Sequence, residues 1–279
     1  MYRPHWAEIW PEISRRLEGR ERILIALDLD GTLAPITEWP RDARIPEETR
    51  ILLRKLSLLP LVTVAVVSGR ALADVRERVG LDRLTYCGNH GFEIEGPEFV
   101  WRSAEARAHR PSLARAVAQL RLETAVMPGV IVEDKGLTAS VHWRMASNED
   151  RQVLGPLVIA AVERNPGLRI THGKAVWELR PQVSGSKGTA VCHLLERAGM
   201  VPADAIFLGD DETDESAFRE LRDGVTLRVG DSITTAAQFH ARDVVDIAGF
   251  LLWLFVSLSG RPAGARLSAT TTFPKATAA

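Results

Sequence analysis

Cysteine is scarce: Cys87 and Cys192 are the only two in 279 residues. Two are too few for a disulfide framework, which excludes the small stapled scaffolds of secreted proteins and suits a reducing cytosol. Charge of one sign is also missing, since 35 basic and 36 acidic residues leave a net charge of −1. No overall field draws in nucleic acid or an anionic membrane, so an anionic ligand must be met by local groups. Long apolar runs are absent. The most apolar late stretch, 247–259 (IAGFLLWLFVSLS), is too short to span a bilayer and reads as a terminal helix packed on a core. Residues 1–20 carry charges throughout, with apolar positions at helical spacing, and do not open like a secretory signal. The expectation is a cytoplasmic monomer with no nucleic-acid or membrane partner.

What is present is an ordinary globular composition, 46% hydrophobic and 25% charged, long enough for a sizeable core. The chain is organised around 23–33, ILIALDLDGTL. Five apolar residues read as a strand buried on both faces, as in a parallel sheet. Asp28 and Asp30 cannot continue such a strand. They must emerge at its carboxyl end, where open α/β sheets place their ligands. Two carboxylates so close repel unless a cation joins them or one stays protonated.

Before that strand, 3–20 reads as an amphipathic helix. After it come a loop with Pro35 and Pro40, a helix from Pro46 to about 59, a strand at 61–67 ending in Ser68-Gly69-Arg70, and a helix to about 79. A third strand, 84–87, ends in Gly88-Asn89-His90-Gly91. Repeated strand–loop–helix steps argue for a doubly wound, Rossmann-like parallel α/β sheet. The rhythm then changes to a hairpin at 92–102, a helix at 103–124 broken near Pro111, strands at 130–134 and 137–144, a helix at 148–165, and strands at 168–171 and 175–180. This αββαββ pattern implies an inserted α+β domain. The parallel pattern resumes with a helix from Lys187, a strand at 205–208, a helix at 214–222, a strand at 225–229, and helices near 233–239 and 247–258. The expected division is 1–102 and 181–260 for the core, 103–180 for the insertion, and a disordered Ala/Thr/Pro-rich tail at 261–279.

Four features bear chemistry. Asp28 can attack phosphorus once cations neutralise a phosphoryl group, and Asp30 can act as general acid and then base. Asp210 and Asp214, in Gly209–Glu215 (GDDETDE), can converge on a hard cation, although read alone they are more often helix-capping acids. Magnesium keeps water ligands, so Asp28 and Asp210 directly, with Asp214 largely through water, would suffice. Ser68 can donate to a phosphate oxygen, and the ammonium of Lys187, in a glycine-flanked turn before a helix, can screen phosphate and Asp28, although read alone they are as readily a helix cap and a solvated lysine.

In this order the features resemble motifs I to IV of the haloacid dehalogenase superfamily of phosphotransferases, and the insertion resembles its C2B cap class, whose members mostly act on phosphorylated sugars. The segments GDDETDE, GNHGFE (88–93), VEDK (132–135), SVHWR (140–144) and WELRP (177–181) are similar to those of trehalose-6-phosphate phosphatases. That resemblance implies Mg²⁺, held by Asp28, the Asp30 backbone carbonyl, Asp210 and Asp214. It implies trehalose 6-phosphate as substrate and trehalose and inorganic phosphate as products. One departure is Gly185-Ser186 before Lys187, where the family often has a Trp-Asp-like pair. Strand alternation puts Ser140, His142 and Arg144 on one face, Glu133 with Lys135, and Glu178 with Arg180. A two-layer sheet has a solvated face in any case. The resemblance nevertheless implies sugar binding by Glu133, Lys135, Arg144 and Glu178, with His142 and Arg180 beside them. His90 reads as a structural turn residue. The rival readings are another sugar-phosphate phosphatase of this cap class (for sucrose, mannosyl-glycerate or glucosyl-glycerate phosphate) and a catalytically dead sugar-phosphate-binding regulator.

Overall fold

The computed structural model describes residues 3–260 except Lys174; the expected tail at 261–279 lies outside the described residues. The chain opens with α1 (Trp10–Leu17), β1 (Ile23–Leu27), α2 (Glu47–Ser57), β2 (Val62–Val67), α3 (Leu72–Val79) and β3 (Thr85–Gly88). A hairpin of β4 (Glu93–Gly96) and β5 (Phe99–Arg102) follows. Then come α4 (Ala104–Ala108), α5 (Arg110–Glu123), β6 (Ile131–Asp134), β7 (Ala139–His142), α6 (Asn148–Glu163), β8 (Leu168–Gly173) and β9 (Val176–Pro181). The chain closes with α7 (Lys187–Ala198), β10 (Ala205–Gly209), α8 (Glu215–Glu220), β11 (Val225–Val229), β12 (Phe239–Ala241) and α9 (Val244–Ser259).

The larger sheet has the order β12-β11-β10-β1-β2-β3-β4-β5 and is parallel from β12 to β3, with the hairpin added antiparallel at one edge. Its β1 is buried along its whole length because alternate residues feed two cores. Ile23, Ile25 and Leu27 pack with residues of α1, α2, α3 and α9, while Leu24 and Ala26 pack with residues of α7 and α8. Each fully buried Leu or Ile of that strand contributes about 1.5–3 kcal/mol. The chain leaves β1 toward β2 on one side and returns as β10 on the other. The boundary between β1 and β10 is thus a topological switch point, where open α/β sheets bind ligands.

The second sheet, in the order β6-β7-β9-β8, is antiparallel and carries α5 and α6 on one face. Ala139, Val141 and Leu179 point into that helical layer. The opposite row, Glu133, Ser140, Glu178 and Thr171, runs across all four strands in register.

Two expected elements differ. No helix spans 233–239; Phe239–Ala241 is instead a strand pairing parallel to β11, with Phe239 and Ala241 buried and His240 half-buried between them. The N-terminal helix is also shorter than 3–20. Residues ahead of it run along β12, with His240 N donating to Pro4 O and Trp6 N to His240 O. Burial of the Trp6 indole against Phe250 and Trp253 outweighs helix propensity there. The apolar stretch near the C-terminus is α9, packed on the core as expected; among the described residues no helix is long and apolar enough to cross a membrane.

Candidate active site

The tips of β1, β2, β3 and β10 face the polar row of the smaller sheet across a cavity of about 690 Å³. Asp28 N donates to Leu208 O at 2.9 Å, so Asp28 and Asp210 leave adjacent strands side by side. Gly31 makes that approach possible. Its φ is +79°, and any Cβ there would run into the Asp210 carboxylate.

The floor of the cavity is a buried charge cluster. Lys187 Nζ lies 2.7 Å from Asp28 Oδ1 and 2.8 Å from Asp214 Oδ1. Lys187 is the first residue of α7, whose start is fixed by a capping box between Ser186 and Thr189. Asp214 Oδ2 accepts from the backbone N–H groups of Asp210 and Asp211 at 3.0 and 2.9 Å. Both oxygens of Asp214 are thus engaged in shaping the loop and holding the lysine. Asp210 Oδ1, by contrast, is buried without a protein partner.

Carboxylate oxygens of Asp28, Asp210 and Asp214 lie within 4.8 Å of one another, against a single ammonium. Two of these acids are raised, with burial the larger cause in each and the neighbouring carboxylates adding to it. Burial, then the neighbouring Asp214 and Asp210, raise Asp28 well above the carboxylate range despite Lys187. Burial and Asp214 push Asp210 up to about 6. Burial works against the charge on Lys187, but Asp214 and Asp28 overcome it and hold its pKa above the ordinary lysine value. An all-oxygen, net-anionic cluster with an orphaned carboxylate oxygen fits a hard divalent cation such as Mg²⁺.

Asp30 points away from this cluster. Arg70 grips it with two parallel hydrogen bonds, Nε to Oδ2 at 2.6 Å and Nη2 to Oδ1 at 2.7 Å, while its Nη1 donates to Asp74 at 2.8 Å. The repulsion implied by the DxD spacing is thus relieved by two cations, an ammonium on Asp28 and a guanidinium on Asp30. Ser68, buried at the end of β2, lines the cavity, and its Oγ accepts from Arg70 N.

The roof carries most of the expected sugar-binding residues. Glu133, Lys135, His142, Arg144 and Glu178 all line the cavity. His142 Nε2 pairs with Glu133 at 2.9 Å and, with that hydrogen bond the larger cause, holds the Glu133 carboxyl low. Arg144 lies beyond the end of β7 and donates to Thr37 O of the β1–α2 loop at 3.1 Å. Arg180 does not line the cavity. It is buried with its guanidinium 5.7 Å over the Phe92 ring and bonded to Gly185 O.

Lys135 and Glu178 also join the two sheets. Lys135 Nζ donates to Gly69 O at 2.8 Å and to Glu178 Oε1 at 2.7 Å, and Glu178 Oε2 meets His90 Nε2. His90 is therefore more than a turn residue. It adopts a left-handed conformation after Asn89, lines the cavity, and has Nδ1 buried without a protein partner. Gly69 leaves the space its ring fills. Burial lowers the His90 pKa, and because the facing Glu178 carboxylate can only accept, Nε2–H is the donor between them. Burial opposes the charge on Glu178, but His90 and Lys135 hold its pKa well below the ordinary value. Asn89 completes the junction, donating to Lys135 O and accepting from Thr138 Oγ1 at 2.6 Å.

Arg70 is a site residue that sequence reasoning passed over, and His90 is one it read as a structural turn residue. Each stood inside a quoted segment, Ser68-Gly69-Arg70 and Gly88-Asn89-His90-Gly91, but their partners lie 40 and 88 positions away.

This layout, acids on adjacent parallel strand tips under an inserted sheet, is the fold of haloacid dehalogenase-like hydrolases. One such hydrolase from Bacteroides thetaiotaomicron superposes with a TM-score of 0.62 at 16% identity, covering 84% of this chain and 99% of that one. The C-terminal domain of a Candida albicans trehalose-6-phosphate phosphatase superposes at 0.77 with 22% identity, covering 91% and 98%. Residues 26–243 match the trehalose-phosphatase family, and the chain belongs to that family. A trehalose-phosphate phosphatase of Mycobacterium tuberculosis is 39% identical over 198 residues, 70% of this chain and 50% of that protein. One of Mycolicibacterium paratuberculosis is 40% identical over 213 residues, 75% and 53%. The chain thus spans about half the length of these relatives.

Proposed function

We propose that this chain is a Mg²⁺-dependent phosphatase that hydrolyses trehalose 6-phosphate to trehalose and phosphate through an aspartyl-phosphate, with residues 103–180 acting as a cap domain over the core. The observation that carries this reading is Asp28 held 2.7 Å from Lys187 beside a net-anionic acid cluster, at the floor of a cavity roofed by a polar sheet face. Family membership and the phosphatase relatives support it.

Asp28 is the nucleophile, and Lys187 and Ser68 bind the phosphoryl oxygens, so that charge neutralisation and positioning lower the barrier. Mg²⁺, held by Asp28, Asp210 and the Asp30 backbone carbonyl with Asp214 behind them, would supply Lewis-acid neutralisation of the phosphoryl charge. Asp30 gives its proton to the leaving sugar oxygen and then takes one from water. To do so it must open one of its two bonds to Arg70. Glu133, Lys135, Arg144 and Glu178 hydrogen-bond the sugar hydroxyls, with His142 orienting Glu133. Arg180 supports the β9–α7 turn from outside the cavity.

The test is phosphate release from trehalose 6-phosphate, with Mg²⁺ and with chelator, beside sucrose, mannosyl-glycerate and glucosyl-glycerate phosphates and glucose 6-phosphate. Fast, chelator-sensitive turnover of trehalose 6-phosphate is expected. A preference for another sugar phosphate would reassign the substrate, and tight binding without release would make the protein a sensor.

A further inference from the structure

The β1–α2 loop contributes to the same cavity as Asp28 and presents an apolar surface that the reaction above does not use. Trp39 is the only Phe, Tyr or Trp lining that cavity among the described residues. Asp28 and Lys187 are buried at the floor, whereas Ile36 on this loop and Ile131 and Met145 on the opposite wall are 53%, 45% and 46% exposed. Apolar side chains from the loop and from the smaller-sheet domain thus stand exposed beside polar ones such as Glu38, Arg41 and Arg144, while the floor is ionic. Exposed large apolar side chains gathered around a cavity mark a surface that a ligand covers.

The loop is held in place. Thr37 Oγ1 donates to Trp39 O at 2.7 Å, and the Arg41 guanidinium packs 5.0 Å from the centroid of the Trp39 ring. From α3, Arg78 Nη1 donates to the carbonyls of Arg41 and Ala43 at 3.1 and 2.9 Å. From the opposite sheet, Arg144 donates to Thr37 O. With the loop backbone held and Arg41 packed over one side of the ring, the indole offers its other side as an apolar plane at low entropic cost. A pyranose ring has a face of C–H groups that such a plane can cover, while its hydroxyls bond elsewhere.

We infer that Trp39, framed by Ile36, Ile131 and Met145, is a specificity-determining residue that packs against the sugar ring remote from the phosphate, selecting phosphorylated disaccharides over hexose phosphates. This rests on the reading given under Proposed function. The phosphate end binds either class alike, and the mouth rewards only a substrate long enough to reach it.

The experiment measures kcat/KM for trehalose 6-phosphate and for glucose 6-phosphate in wild type, Trp39→Ala and Trp39→Phe. The ratio of the two values should fall about tenfold in Trp39→Ala, chiefly through KM for the disaccharide, and return to within about threefold in Trp39→Phe. A Trp39→Ala ratio equal to wild type, whether both activities persist or both fall together, overturns the subsite and leaves the phosphatase reading intact. A wild-type enzyme that turns over glucose 6-phosphate as well as trehalose 6-phosphate overturns the substrate assignment, and the subsite with it.

Discussion

The two ends of the cavity are built on opposite plans. At the floor, formal charges are buried at the tips of parallel strands, with Asp28, Lys187 and Asp214 each under 5% exposed. At the roof, polar side chains stand on one face of an antiparallel sheet and most are already bonded to one another. The floor is short of positive charge, and burial with the neighbouring acids raises Asp28 and Asp210. The roof pairs its charges internally, and Glu178 titrates low. A site of this kind divides its labour, with one end holding unsatisfied negative charge suited to a cation and the other holding satisfied groups that a ligand must displace.

The largest effect that could break this contrast is at the floor. Asp28→Asn should lower phosphate release by about a thousandfold or more, because it removes the nucleophile of the proposed reaction. Its melting temperature in chelator should stay level or rise, since a buried like charge is removed. Substantial residual turnover would remove the covalent role. Lys187→Met should cost about 3–5 kcal/mol in denaturant titration, by stranding Asp28 and Asp214 without their counter-ion. An unchanged midpoint would mean that the ammonium does not hold the cluster together.

At the roof the expected loss is smaller and of a different kind. Glu178→Gln should reduce kcat/KM on the sugar phosphate by about 10–100-fold and speed amide exchange around Asn89 and His90, because one bond of the junction is weakened. Loss of turnover with undisturbed exchange would separate sugar binding from the link between the sheets.

The smallest effects are in pH, and they run in opposite directions. Asp210 is raised to about 6 in the folded chain. Protons therefore compete for the cation site below that value, and Mg²⁺ affinity should fall up to about tenfold per pH unit there by calorimetry. In chelator the same raised pKa makes this group's stabilisation present in acid and lost as pH rises through about 6. The roof has the reverse sign. His90 is lowered, so the unfolded chain takes up its proton first and this contribution is lost as pH falls through the ordinary histidine range. The depressed Glu178 adds a loss at more acid pH. Chelated Asp210→Asn and His90→Gln proteins should each flatten one of these trends in thermal melts.

The floor was legible because every clue was local. An apolar run of fixed length ends in an acid, and strand, turn and acid stand in unbroken order at Asp28 and again at Asp210. What stayed hidden depended on distance or on position along an element. Arg70 could not be joined to Asp30, nor His90 to Glu178, without knowing which strand tips are adjacent. Alternation correctly put Arg180 on the same face as Glu178, but a period of two gives the face and not the place along it. Arg180 falls past the cavity edge onto Phe92. At 233–239 the helix-compatible Ala-Ala-Gln stretch masked a three-residue strand that exists because β11 and the N-terminal segment lie on either side of it.

The sharing of Glu178 has a consequence for how such a protein changes over time. Its oxygens accept from Lys135, Ser140 and His90 before any sugar arrives. A hydroxyl that reaches this carboxylate enters by exchange, giving it a new neighbour in place of an old one, so the net gain per contact is the difference between two similar bonds. Selectivity on that wall can therefore drift with single substitutions while the phosphoryl transfer proposed for the strand tips stays fixed.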